Sequence, residues 1–97
     1  MITLIAHHAV KDYKAWISGA KQAMGANSER SAQFGIQGSK VYRTADGSGV
    51  IITHRFKDVE AAQAYEKVMQ SPEGHAMVEK MGAKLPITIW IAEEVEL

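Results

Sequence analysis

Two histidines in this 97-residue chain, His8 and His54, recur in one local setting: Ile5-Ala6-His7-His8-Ala9-Val10-Lys11-Asp12 is echoed in register by Ile51-Ile52-Thr53-His54-Arg55-Phe56-Lys57-Asp58. Imidazole titrates near neutral pH, so a histidine facing a cleft can abstract a phenolic or enolic proton. The competing reading is structural, a ring near a strand end donating to a backbone carbonyl. Two neutral imidazoles side by side can also ligate zinc or iron, but no carboxylate or third histidine has clear ligand spacing with them, and no metal is expected. Tyr13, Trp16 and Tyr65 fall on the inner stripes of two helices. They either fill the core or line a cavity and stack on a planar ligand. Trp90 is open to the same two readings, and Met24, Met69, Met77 and Met81 suit a core or an adaptable pocket wall. His75, in a short late helix, either reaches the pocket mouth or stays in solvent. His8 and His54 are thus the catalytic candidates, with Tyr13, Trp16, Tyr65 and His75 as substrate contacts. The glycines form no phosphate loop.

The elements that position these residues follow from pattern. Residues 2–10 alternate and are rich in Ile, Leu and Val, as a strand requires. Asp12 sits at an N-cap, and Tyr13, Trp16, Ile17, Ala20 and Met24 follow at helical spacing. Beyond Met24 the polar run Asn27 to Ser31 weakens the period, so the helix either kinks and continues to about Gln33 or becomes loop. The segment Phe34 to Gly38 stops it, since glycine adopts the left-handed C-cap conformation without strain. Lys40 to Ala45 and Val50 to Phe56 are strand-like around a hairpin turn, Asp46-Gly47-Ser48-Gly49. Asp58 caps a second helix through Val59, Ala62, Tyr65, Val68 and Met69. Ser71-Pro72-Glu73 starts a short one with Met77, Val78 and Met81 inward, ended by Gly82. Pro86 to Ala92 is the last strand, with proline at its start.

This order, βαββαβ with one extra helical turn, predicts an α+β ferredoxin-like domain over residues 1–97. Its four-stranded antiparallel sheet has order 4-1-3-2, with the helices on one face. The two central strands, the first and third, are expected to run parallel and to hold His8 and His54 at matching heights. Ile2, Leu4, Ala6, His8 and Val10, with Val50, Ile52, His54 and Phe56, form the more apolar face and are assigned to the helix side. Thr3, Ile5, His7, Ala9, Ile51, Thr53 and Arg55 form a mixed second face, which a second copy of the chain would cover.

Composition narrows the function classes. Eleven basic residues balance eleven acidic ones, which removes the long-range attraction typical of nucleic-acid or anionic-membrane binders. RNA-binding modules share this strand order, but they display aromatic residues on the open face of the first and third strands, where this chain has none. With no cysteine there is no thiol nucleophile and no need of an oxidising compartment. The N-terminal apolar run is too short for a signal or spanning helix, so a cytoplasmic location is expected.

The run His8-x-Val10-x-Asp12-Tyr13-x-x-Trp16, the later Phe56-x-Asp58 with Ala61-Ala62, and Ser71-Pro72-Glu73 before a Met-rich turn and Gly82 resemble the dimeric α/β-barrel superfamily. The resemblance is to its small antibiotic-biosynthesis-monooxygenase-like members, and it spans nearly the whole chain. It implies a homodimer packed sheet to sheet. It also implies an activity like that of cofactor-independent monooxygenases or polyketide cyclases on a planar aromatic substrate, with no cofactor. Haem-degrading relatives carry an Asn on the first strand, a Trp in the second helix and a His seven residues past that helix's Ser. Here His7 and His8, Val68 and Val78 take those places, which argues against haem cleavage.

Two functions therefore compete: a small dimeric enzyme using His8 or His54 as base, and a non-catalytic ligand-binding or dimerisation module. If the mixed sheet face is covered by a second copy, light scattering at micromolar concentration should return the mass of two chains rather than one.

Overall fold

Three polar side chains start three helices. Asp12 Oδ1 accepts the Ala15 N–H at 3.3 Å, Asp58 Oδ1 the Ala61 N–H at 2.9 Å, and Ser71 Oγ the Gly74 N–H at 3.0 Å. Each satisfies a backbone donor that the first turn leaves free. The computed structural model describes residues 1–24 and 29–97. The elements are β1 (Ile2–Val10), α1 (Tyr13–Met24), α2 (Glu29–Phe34), β2 (Gly38–Arg43), β3 (Gly49–Phe56), α3 (Val59–Met69), α4 (Pro72–Lys80) and β4 (Ala83–Glu93). The expected kink after Met24 lies outside the described residues. The extra helical turn is a full helix, α4. The last strand begins three residues before Pro86, which sits where β4 slips register against β1, on an edge strand that tolerates a missing donor.

The sheet has order β2-β3-β1-β4, the ferredoxin-like order expected, and every neighbouring pair is antiparallel. The expectation that β1 and β3 run parallel is therefore corrected: each crossover returns the chain parallel to the strand it left, and the hairpin then reverses β3 against β1. That reversal moves the histidines. Leu4 faces His54 and His8 faces Val50, so the rings share a side of the sheet but stand four residues apart along it, about 13 Å at strand rise. The internal echo explains the offset. Ala6 and Ile52 are equivalent in the repeat and directly paired, so a local pseudo-two-fold passes between them. His8 and His54 lie two residues from that axis in opposite directions.

The helix-side assignment holds. Leu4, Val50 and Phe56 are fully buried beneath the helices, joined by Trp16, Ala20, Ala62 and Tyr65. Burying a Leu, Val or Phe side chain contributes about 1.5–3 kcal/mol. On the other face Ile5 pairs with Trp90 and Ile51 with Tyr42, and in the single chain Trp90 is 52 % and Tyr42 50 % exposed. No helix among the described residues is long and apolar enough to cross a membrane.

Gly49 closes the centre of the sheet. A Cβ there would overlap the His8 carbonyl oxygen and crowd the Ala9 Cα, both backbone atoms that cannot rotate away. Gly49→Ala should thus cost about 1–3 kcal/mol in urea unfolding by forcing β3 from β1, and should shift the backbone resonances of His8 and Ala9 more than those of β4.

Candidate active site

Between helices and sheet lies a cavity of about 50 Å³ whose wall includes His8 and Trp16 on one side and His54 and Tyr65 on another, with Met69, Met81 and Ile87 among the apolar remainder. Strand alternation aims both histidines inward, and helical spacing on α1 and α3 places an aromatic ring over each. Trp16 meets His8 edge-on at 5.6 Å between centroids, and Tyr65 meets His54 at 5.1 Å. Phe34 and Phe56 hold the tyrosine ring from two sides.

The two imidazoles differ in their partners. His8, 5 % exposed, places Nδ1 2.9 Å from the Ala9 carbonyl oxygen. A carbonyl only accepts, so Nδ1 carries the proton and the neutral ring keeps a lone pair on Nε2. Burial lowers the His8 pKa below the ordinary 6.5, the Ala9 bond partly opposes this, and neighbouring His7 adds to the lowering. His54, 3 % exposed, has a hydroxyl at each nitrogen: Ser39 Oγ lies 2.7 Å from Nδ1 and the Tyr65 hydroxyl 3.4 Å from Nε2.

Of the residues singled out from sequence, His8, His54, Trp16 and Tyr65 meet at this cavity. Tyr13 and His75 do not. Arg43 stacks over the Tyr13 ring at 4.3 Å from its centroid, tying the start of α1 to β2. His75 Nε2 bonds Gln70 Oε1 at 2.6 Å, and Gln70 Nε2 donates to the Ile87 carbonyl at 2.9 Å. That chain holds the α3–α4 corner to β4, which makes His75 a brace. Ser39 was not anticipated, although a turn centred between Asp46 and Gly47 already pairs it with His54. Among the described residues, no group of three His, Asp or Glu side chains is arranged to hold a metal ion.

No protein-family model matches the sequence, and no curated protein matches it. Solved structures do. A monooxygenase from Streptomyces coelicolor, crystallised in complex with Nanaomycin D, superposes with a TM-score of 0.67 at 13 % identity over 99 % of this chain and 88 % of its own. The fold is that of the antibiotic-biosynthesis monooxygenases. A dimeric ferredoxin-like protein from an uncultured marine organism superposes with a TM-score of 0.67 at 12 % identity, covering 99 % of this chain and 96 % of that one. SnoaB, a cofactor-independent oxygenase from Streptomyces nogalater, gives 0.59 at 13 % identity over 99 % and 94 %. At these identities the likeness is one of fold.

Since the unfolded chain binds a proton at His8 more readily than the folded one does, stability rises with pH between the lowered folded pKa and 6.5. Urea unfolding should therefore show declining stability as pH falls below 6.5, and His8→Gln should flatten that part of the slope.

Proposed function

We propose that the chain is a small homodimeric enzyme that deprotonates a planar hydroxy-aromatic or enolic substrate and passes it to oxygen without a cofactor. The observation that carries this reading is the pair of buried imidazoles facing one apolar cavity, in the fold of proteins described as cofactor-independent oxygenases. One imidazole draws off the substrate proton, directly or through a hydroxyl bonded to its ring. Where the proton stays on the ring, burial, which disfavours a lone imidazolium, is offset because the charge made beside it is the substrate anion. The anion is electron-rich and reduces oxygen directly. For an anthrone, one CH₂ group and O₂ become a carbonyl and water. The dimer is supported by the Trp90, Tyr42, Ile5 and Ile51 face and by the similar structures described as dimeric.

A cavity of about 50 Å³ holds a few waters at most, whereas pockets for small organic ligands run to about 300–1,000 Å³. Substrate entry on this reading requires Met69 and Met81, the flexible unbranched part of the wall, to turn aside. The same small volume favours the second reading, a non-catalytic module whose helix–sheet layer is simply well packed.

Oxygen uptake with anthrone as probe separates the two. The enzyme reading expects protein-dependent uptake, its loss in His54→Ala, and no effect of a chelator. Absence of uptake together with no quenching of tryptophan fluorescence by Nanaomycin D would favour the packed module, and abolition by chelator would count against the metal-free mechanism.

A further inference from the structure

We infer that Ser39, His54 and Tyr65 form a proton relay that connects the helix-side cavity to the β2 edge of the sheet. It rests on the reading of that cavity as a reaction site, and it says where the substrate's proton goes. Tyr65 and His54 both line the cavity. Ser39 is half-buried and stands directly opposite His54 on the edge strand β2, so the chain Tyr65 hydroxyl, His54 Nε2, His54 Nδ1, Ser39 Oγ runs along the helix side of the sheet from the cavity to its β2 edge.

The chemistry of the partners makes this imidazole unlike its counterpart. Ala9's carbonyl fixes the His8 tautomer, whereas a hydroxyl donates or accepts with equal ease. His54 can therefore hold its one proton on Nδ1, donating to Ser39 while Tyr65 donates to Nε2, or on Nε2 with both bonds reversed. Passing between these states moves one proton along the chain without leaving a charged imidazole in an apolar wall.

Starting with the proton on Nδ1, the Tyr65 oxygen takes the substrate's phenolic or enolic proton as its own proton moves to Nε2. The Nδ1 proton passes to Ser39 Oγ, and the original Ser39 proton goes to water. The substrate becomes an anion, water gains one proton, and all three side chains end with the proton count they began with. Run backwards, the chain returns one proton from water to the peroxide anion that O₂ forms on the substrate, which restores the Nδ1 tautomer and lets water leave as the carbonyl forms. Ser39 acts through His54 and is a positioning residue, one that needs a hydroxyl rather than a particular shape.

The test begins on the free protein. ¹⁵N shifts of the His54 ring nitrogens should lie between those of a protonated and a lone-pair nitrogen, since both tautomers are populated, while His8 shows one tautomer with the proton on Nδ1. Ser39→Ala should collapse His54 to a single tautomer, and Ser39→Thr, which keeps the hydroxyl, should restore the mixture. In anthrone oxidation Ser39→Ala should lower kcat by about 10- to 100-fold with little change in KM, Ser39→Thr should recover most of it, and Tyr65→Phe should behave as Ser39→Ala. A single His54 tautomer in the unaltered protein overturns the relay, as does a Ser39→Ala protein with unchanged His54 shifts. Because the shifts are read without substrate, an absence of anthrone oxidation sinks the proposed reaction separately, while a mixed tautomer that Ser39→Ala abolishes still supports the hydroxyl chain.

Discussion

The antiparallel register of β1 against β3 sets where the two inward-facing imidazoles stand. With Leu4 opposite His54 and Val50 opposite His8, each imidazole shares its level of the sheet with a fully buried aliphatic side chain. Each ring is therefore held in an apolar layer rather than beside the other. Gly49 makes that register possible, because only a residue without a side chain lets β3 approach the His8 carbonyl. The surroundings of the His8 carbonyl are thus set by a glycine on another strand.

Within that frame, hydrogen bonding separates two residues that the repeat makes equivalent. The His8 ring bonds a group that only accepts, and the His54 ring bonds two groups that do either. Their aromatic neighbours diverge as well. Trp16 lies eight residues beyond His8, while Tyr65 lies eleven beyond His54, one helical turn later. Small residues, Gly19 and Ala62, occupy the reciprocal positions. An indole supplies apolar bulk with no oxygen, and a phenol supplies a hydroxyl within reach of Nε2. The histidines thus share an origin in pattern and differ in what they can do with a proton.

The element order, the strand order and the buried face were legible because they depend on local signals: caps at Asp12, Asp58 and Ser71, period-two and helical stripes, and a glycine-rich turn. The placement of His8 against His54 was not, because it depends on strand direction after two crossovers, and a repeat read as translation conceals that its copies pair head to tail. Ser39 escaped notice for a different reason. A lone serine carries no pattern, and only the hairpin register brings it to the imidazole. Tyr13 and His75 looked like pocket residues because aromatic and imidazole side chains at helical spacing point inward as a class. Arg43 and Gln70, neither of which repeats, claimed them instead.

The local axis through Ala6 and Ile52 has a consequence for any guest lying across it. The floor beneath such a molecule is nearly symmetric in outline, yet its two halves rest on rings of opposite character, one locked and one reversible. A compound with identical ends would lose that equivalence on entering, and under the proposed function its two ends would react at different rates. Regioselectivity would then come from the bonding of the walls rather than from their shape.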